Sequence, residues 1–173
     1  MPRNVTASFR QIAEANFSDD VDLVFLTISH PHLDGPIRVV LNDKDILYAG
    51  NTYTGYPFDI EILSDDEQPP QATLTIQNID SRIGEAIRSL ITPPRLKIQL
   101  LSSADFDLSV TPHVEWGGGS PGATAIYTAD KLFLTNTKID AMLVTGTIEG
   151  WDYLQRVWPG VRARQDIFPG LFR

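Results

Sequence analysis

The sequence contains no cysteine. Disulfides, cysteine-ligated zinc, cysteine-held iron–sulfur clusters and thiol nucleophiles are excluded together, although this says little about compartment. Histidine is scarce, with three in 173 residues. No stretch of eighteen apolar residues occurs, and the opening MPRNVTASFRQIAEANFSDD lacks the apolar core of a signal peptide. The expectation is a soluble chain made in the cytoplasm, without a membrane anchor. Positive charge is also in short supply: 14 Lys and Arg stand against 22 Asp and Glu, a net charge of −8. Such a surface repels phosphate backbones, and Arg3, Arg10 and Arg38 form no cluster, so no specific nucleic-acid binding is expected.

What is present is enough apolar material, 42% of the residues, to build the core of one domain. In SFRQIAEANF, Phe9, Ile12, Ala13 and Phe17 fall close to helical spacing, so residues 1–18 read as a short helix or an extended arm. Residues 19–150 then read as a β domain. VDLVFLTISH places Leu23 and Phe25 on one face and Val24, Leu26 and Ile28 on the other, the pattern of a central strand or of one beneath a second layer. GPIRVVLND is a further strand, and residues 37–41 and 46–48 around Asn42-Asp43 have the form of a hairpin. NTYTGYPFDIEIL alternates Tyr56, Phe58, Ile60 and Ile62, and SDDEQPPQ is a charged, proline-bearing link.

Residues 72–101 change period twice. Leu74 and Ile76 alternate as in a strand; Ile83, Ile87 and Leu90 follow at helical spacing; Leu96, Ile98 and Leu100 alternate again after Pro93-Pro94. A helix of about ten residues is marginal alone. It is therefore expected to rest against a sheet and to cover an open end or edge. Later segments, DLSVTPHVEW, ATAIYTADKLFLTN and TKIDAMLVTGTIEG, supply more strands, with a turn expected near Asn136 and a glycine-rich loop at 117–122. Residues 151–173 form an irregular tail in which Trp151, Tyr153, Trp158, Phe168 and Phe172 sit among prolines and glycines. The tail either packs on its own domain or docks on a neighbouring subunit. The expected fold is mainly β: an antiparallel β-barrel or strongly curved sheet, one short helix at about 80–91, and the aromatic C-terminal tail.

Chemistry is harder to find. His30 and His32 lie two apart and with Asp34 make a partial metal set, yet two imidazoles and one carboxylate do not close a site; surface histidines before a turn are the simpler reading. The acidic runs Asp19, Asp20 and Asp22, Asp43 and Asp45, and Asp65, Asp66 and Glu67 read as solvated turns. WGGGSPG lacks the Gly-Lys-Ser/Thr ending of a phosphate loop, and no Gly-x-Ser-x-Gly or His-Glu-x-x-His occurs. No catalytic, cofactor-binding or metal residue is assigned, no cofactor is expected, and the chain does not read as an enzyme.

Across VDLVFLTISHPHLDGPIRVVLNDKDI, YPFDIEILSDDEQPPQATLTIQNIDSRIGEAIRSL and PPRLKIQLL, the sequence resembles a family of small tail proteins of long-tailed bacteriophages and prophages, described mainly as a domain of unknown function. The resemblance is best over roughly residues 20–101. It implies a structural component of the tail tip or baseplate hub, where β-barrel modules form rings at the distal end of the tail. The implied partners are further copies of the chain in a ring and other tail proteins: distal tail, hub, tail tube or tape measure. The implied location is the virion tail. Related tail-tip proteins carry a further domain whose cysteines hold an iron–sulfur cluster; with no cysteine, that cluster is not carried over. The alternative is a carbohydrate-binding or glycan-hydrolysing module in which Tyr53, Tyr56, Trp116 and Trp151 line a sugar cleft.

Asp80 stands where a side chain accepts from the free N–H groups of the helix's first turn. Asp80→Ala is expected to cost about 1 kcal/mol, read as a lowered thermal midpoint; an unchanged midpoint would show that another residue caps the helix.

Overall fold

The computed structural model describes residues 14, 20–60, 71–77, 82–88, 90, 92–116 and 122–150. In chain order these form β1 (Asp22–Ser29), β2 (Ile37–Val40), β3 (Ile46–Tyr48), β4 (Asn51–Gly55), β5 (Phe58–Ile60) and β6 (Gln71–Gln77). The helix α1 (Arg82–Arg88) follows, then β7 (Arg95–Ser102), β8 (Phe106–Asp107), β9 (His113–Glu115), β10 (Tyr127–Ile139) and β11 (Leu143–Glu149). One mixed sheet contains all eleven strands in the order β5-β6-β11-β10-β7-β1-β2-β4-β3-β9-β8. Among the described residues, only β2–β4 and β3–β9 run parallel.

The apolar residues on both faces of β1 are explained by its place at the middle of this order. Leu26 and Ile28 enter the larger core with Val39, Phe58, Leu74, Ile76, Leu96, Ile98, Leu134, Val144 and Ile148. Leu23 and Phe25 point the other way, into a smaller core with Val40, Ile46, Tyr53, Leu101 and Phe106. Phe25, Leu26 and Ile28 are almost wholly buried, each side chain contributing about 1.5–3 kcal/mol of hydrophobic stabilisation. Away from the smaller core, the second face is polar. Thr73, Thr75, Thr145 and Thr147 alternate with the buried Leu74, Val144 and Ile148 along β6 and β11, and Thr135 Oγ1 donates to the Thr147 carbonyl at 3.3 Å. β-branched side chains suit such a half-exposed pleated surface.

The expected barrel or strongly curved sheet is overturned. The end strands β5 and β8 do not pair with each other, and the sheet is neither closed into a barrel nor strongly curled. Closure needs the terminal strands to share a ladder, whereas β5 has three residues and β8 two. That the chain is rich in strands was readable from the pattern; their number and the pairing of the ends were not.

Between β6 and β7, the described residues of the expected helix at about 80–91 form α1, Arg82–Arg88. Ile87 is buried in the larger core. β6 and β7 are not neighbours, because the β10–β11 hairpin lies between them. Asp80 and Ile62 lie outside the described residues, and so does residue 81.

Two expected turns are corrected. β2 does not form a hairpin with β3; it pairs in parallel with β4, while β3 and β4 form the hairpin across Ala49-Gly50. Both turn residues have positive φ, 50° and 72°, as a two-residue turn matched to the sheet's twist requires. The run from Asn51 to Ile60 is likewise two strands, interrupted at Tyr56-Pro57, since proline cannot donate to a ladder. Asn136, at φ 49°, marks an irregularity within β10 between Thr135 and Lys138, and the chain reverses only at 140–142.

Gly55 closes β4 against the turn before β3. Its N–H donates to Asp45 Oδ1 at 2.9 Å, and a Cβ at this position would meet the Lys44 backbone carbon at 2.7 Å. Gly50 has open space around it and only its φ of 72° to favour glycine. Gly55→Ala is therefore expected to cost about 2–3 kcal/mol, and Gly50→Ala about 1 kcal/mol, in urea unfolding. An equal or smaller loss at Gly55 would show that residues 42–45 yield freely.

Candidate functional site

The end of the sheet formed by β3, β9 and β8 is where exposed apolar side chains gather. Ile46 and His113 are paired and buried, so alternation turns their paired successors Leu47 and Val114 to the opposite face. Trp116, two residues beyond Val114, is 58% exposed, and Leu47, Leu108 and Val110 are 37–44% exposed. Scattered surface hydrophobics are ordinary, whereas these four belong to one end of the sheet.

Beneath that surface lies a rigid aromatic group. The Phe25 ring stands edge-on to Tyr53 at 4.9 Å and stacks with Phe106 at 5.8 Å, and Tyr48 lies 5.2 Å from Phe25. These separations are favourable for aromatic pairs. The Glu115 carboxylate accepts the Ala49 N–H at 3.0 Å, tying β9 to the left-handed turn of the β3–β4 hairpin. Asn51 Nδ2 donates to the Ala49 carbonyl at 3.0 Å. His113 is buried, its Nδ1 lying 2.7 Å from the Val110 carbonyl; that contact makes Nδ1–H the donor and fixes the turn carrying Val110. Asp107 accepts from both the N–H and the Oγ of Ser109, at 2.9 and 2.6 Å.

Charge at this end is unevenly settled. The hydrogen bonds from Ser109 hold the Asp107 carboxyl below the ordinary aspartate value. Asp105 is pushed the other way, chiefly by burial and then by the negative charges of Asp20 and Glu115. Burial also raises the Tyr48 phenol, helped by Tyr53 and Glu115 and opposed by a hydrogen bond with Gln99. The arrangement is a like-charged rim around an aromatic core.

The other candidate residues are not brought together here. His32 N–H donates to His30 Nδ1 at 3.1 Å, which places the neutral ring's proton on Nε2, 2.6 Å from Thr92 Oγ1. Both His30 nitrogens are thus engaged within the protein. Among the described residues, no group of three or more His, Asp or Glu side chains is placed to hold a metal, and Asp34 does not complete one. Asp45 is more than a solvated turn residue, since it holds Gly55. Of the sugar-cleft set, Tyr53 is buried in the smaller core and Tyr56 in the larger, so neither lines a cleft with Trp116. Trp151, Asp19, the run at 65–67, the arm at 1–18 apart from Glu14, the loop at 117–121 and the tail at 151–173 lie outside the described residues. Among the described residues, no helix is long and apolar enough to cross a membrane.

A large open sheet with an apolar, turn-braced end defines a mainly β protein. Residues 8–163 match the family described as a domain of unknown function (DUF1833), and the chain belongs to that family. Comparison with curated proteins found no match.

Because the folded-state pKa of Asp105 lies above the unfolded value, the folded chain holds this proton more tightly. The stability from this group is complete below the ordinary value of 3.8 and is lost as pH rises through the raised folded value. Asp105→Asn is accordingly expected to stabilise the protein at neutral pH, with the gain vanishing as pH falls below that range. Thermal melts of both proteins across pH check this; a pH-independent difference would show that Asp105 carries no such burden.

Proposed function

We propose that the chain is a structural subunit of a phage tail tip or baseplate hub, forming or joining a ring at the distal end of the tail, and that it is not an enzyme. The observation that carries this reading is a pair of separate apolar patches. One contains Trp116, Leu47, Leu108 and Val110; the other is the β10–β11 hairpin tip, where Met142 is 81% and Leu143 40% exposed. The two belong to different halves of the sheet order. A ring of identical subunits needs two unlike surfaces, each meeting its counterpart on the next copy. The sequence resemblance to small phage tail proteins supplies the setting, and the virion tail is the corresponding location. Neighbouring hub, distal-tail, tube or tape-measure proteins are the further partners.

Head-to-tail assembly has a specific signature. Trp116→Asp and Met142→Asp should each abolish the oligomer measured by light scattering. Mixed together, the two variants should recover a dimer but no ring, because each retains one intact surface. A wild-type chain that stays monomeric at its highest soluble concentration would refute self-assembly, and two variants that fail to pair would refute the head-to-tail arrangement.

A further inference from the structure

A second surface feature lies away from both apolar patches and carries the opposite electrostatic character to the whole chain. Ser29, Arg95, Leu96, Lys97, Asp130, Lys131 and Phe133 line a groove of about 380 Å³ where β1, β7 and β10 run side by side. Its three cations face one lining carboxylate in a protein of net charge −8. None of Arg95, Lys97 and Lys131 forms an ion pair among the described residues. Unpaired cations gathered on an acidic protein create a local potential that selects negative partners.

The backbone builds this grouping. Arg95 and Lys97 are alternate residues of β7, on the face opposite the buried Leu96 and Ile98. Ser29 and Phe133 flank Arg95 from the two neighbouring strands. Between Ala129 and Leu132 the β7–β10 register shifts, and Lys131 takes φ 63°. A bulge of this kind re-aims a side chain and is common beside functional sites; a non-glycine residue in the left-handed region is held there by its surroundings at an energetic cost. The same row continues outward, because Arg38 of β2 pairs with Thr27, which in turn pairs with Lys97.

We propose that this groove binds an extended acidic peptide, with alternate carboxylates of the peptide meeting Arg95 and Lys97, Lys131 adding its charge from β10, and the peptide's aliphatic parts lying on Phe133. Arg95 and Lys97 repeat along β7 at about 6.7 Å, the separation of like-facing side chains in an extended partner. A single phosphate calls for donors converging on one point, with backbone N–H groups or a helix N-terminus among them. This groove instead sets Arg95 and Lys97 along β7, with Lys131 beside them on β10, and provides an aromatic wall. The assignment stands apart from the assembly reading, since neither apolar patch takes part.

The test is calorimetric titration of the full chain at low salt with a capped Asp-Thr-Asp-Thr-Asp peptide. The comparison ligands are its Asn-Thr-Asn-Thr-Asn counterpart, inorganic phosphate and a single-stranded oligothymidylate. The aspartate peptide should bind and the asparagine peptide should not. Added salt should weaken binding, and the double variant Arg95→Gln, Lys97→Gln should lose about tenfold or more in affinity with an unchanged thermal midpoint. If that variant does not fold, Lys131→Gln alone, read the same way, replaces it. Absence of binding, equal binding of the asparagine peptide, or undiminished binding by a folded variant would overturn the proposal. Tighter binding of phosphate or oligothymidylate than of the peptide would overturn it in favour of a phosphate site.

Discussion

Everything in this sheet is registered against β1, because β1 is buried on both faces. Leu26 and Ile28 belong to one core and Leu23 and Phe25 to the other. A slip of one residue would exchange the two sets and misfit both cores at once. Eight consecutive residues pair with β7, from Asp22 with Ser102 to Ser29 with Arg95, and β2 holds the other edge. The alignment of distant segments follows from that lock. β7 carries β10, β10 carries β11, and β11 carries β6, so an error at β1 would propagate across the sheet.

The two cores divide the molecule's work. The larger one is made from long strands and is lidded in part by Ile87 of α1; it leaves a threonine-bearing face outside. The smaller one is made from short strands, two to five residues long in β3, β4, β8 and β9. Short strands supply few ladder hydrogen bonds, and side-chain devices make up the deficit there. Asp45 holds Gly55, Glu115 holds Ala49, and the Ser103 hydroxyl accepts the Val21 N–H at 2.8 Å. The apolar end bearing Trp116 is thus presented on a braced frame.

Much of the fold was legible in the residues. The two-faced pattern of β1 and the mainly β character follow from alternation and spacing. Pairings between distant segments were harder. Nothing local to Val39 and Val40 announces a parallel partner at Thr54 and Gly55, and Ala49-Gly50 is a weaker turn signal than the Asn-Asp that precedes β3. The expectation of a barrel rests on many strand-like segments, few helical ones and the resemblance, whereas closure depends on what the two end strands can offer each other. Of the site, Trp116 was visible as an aromatic, but its exposure was not. The cationic groove was invisible, because Lys131 lies far from Arg95 and Lys97 in sequence and reaches them only through the β7–β10 pairing and its bulge.

The open ends of the sheet constrain how the chain could join another as proposed. Unpaired strand edges invite an added strand, and proteins blunt that tendency by keeping edge strands short. Among the described residues, β8 pairs only with β9 and β5 only with β6, and at two and three residues neither gives a template for a long intermolecular ladder. Apolar side chains stand beside the β8 edge instead, at Leu108, Val110 and Trp116. Association through packed side chains depends on shape and burial, and it is more selective than backbone pairing, which any extended chain satisfies. A ring of the proposed kind, built this way, would admit its own copies and exclude indiscriminate strand addition.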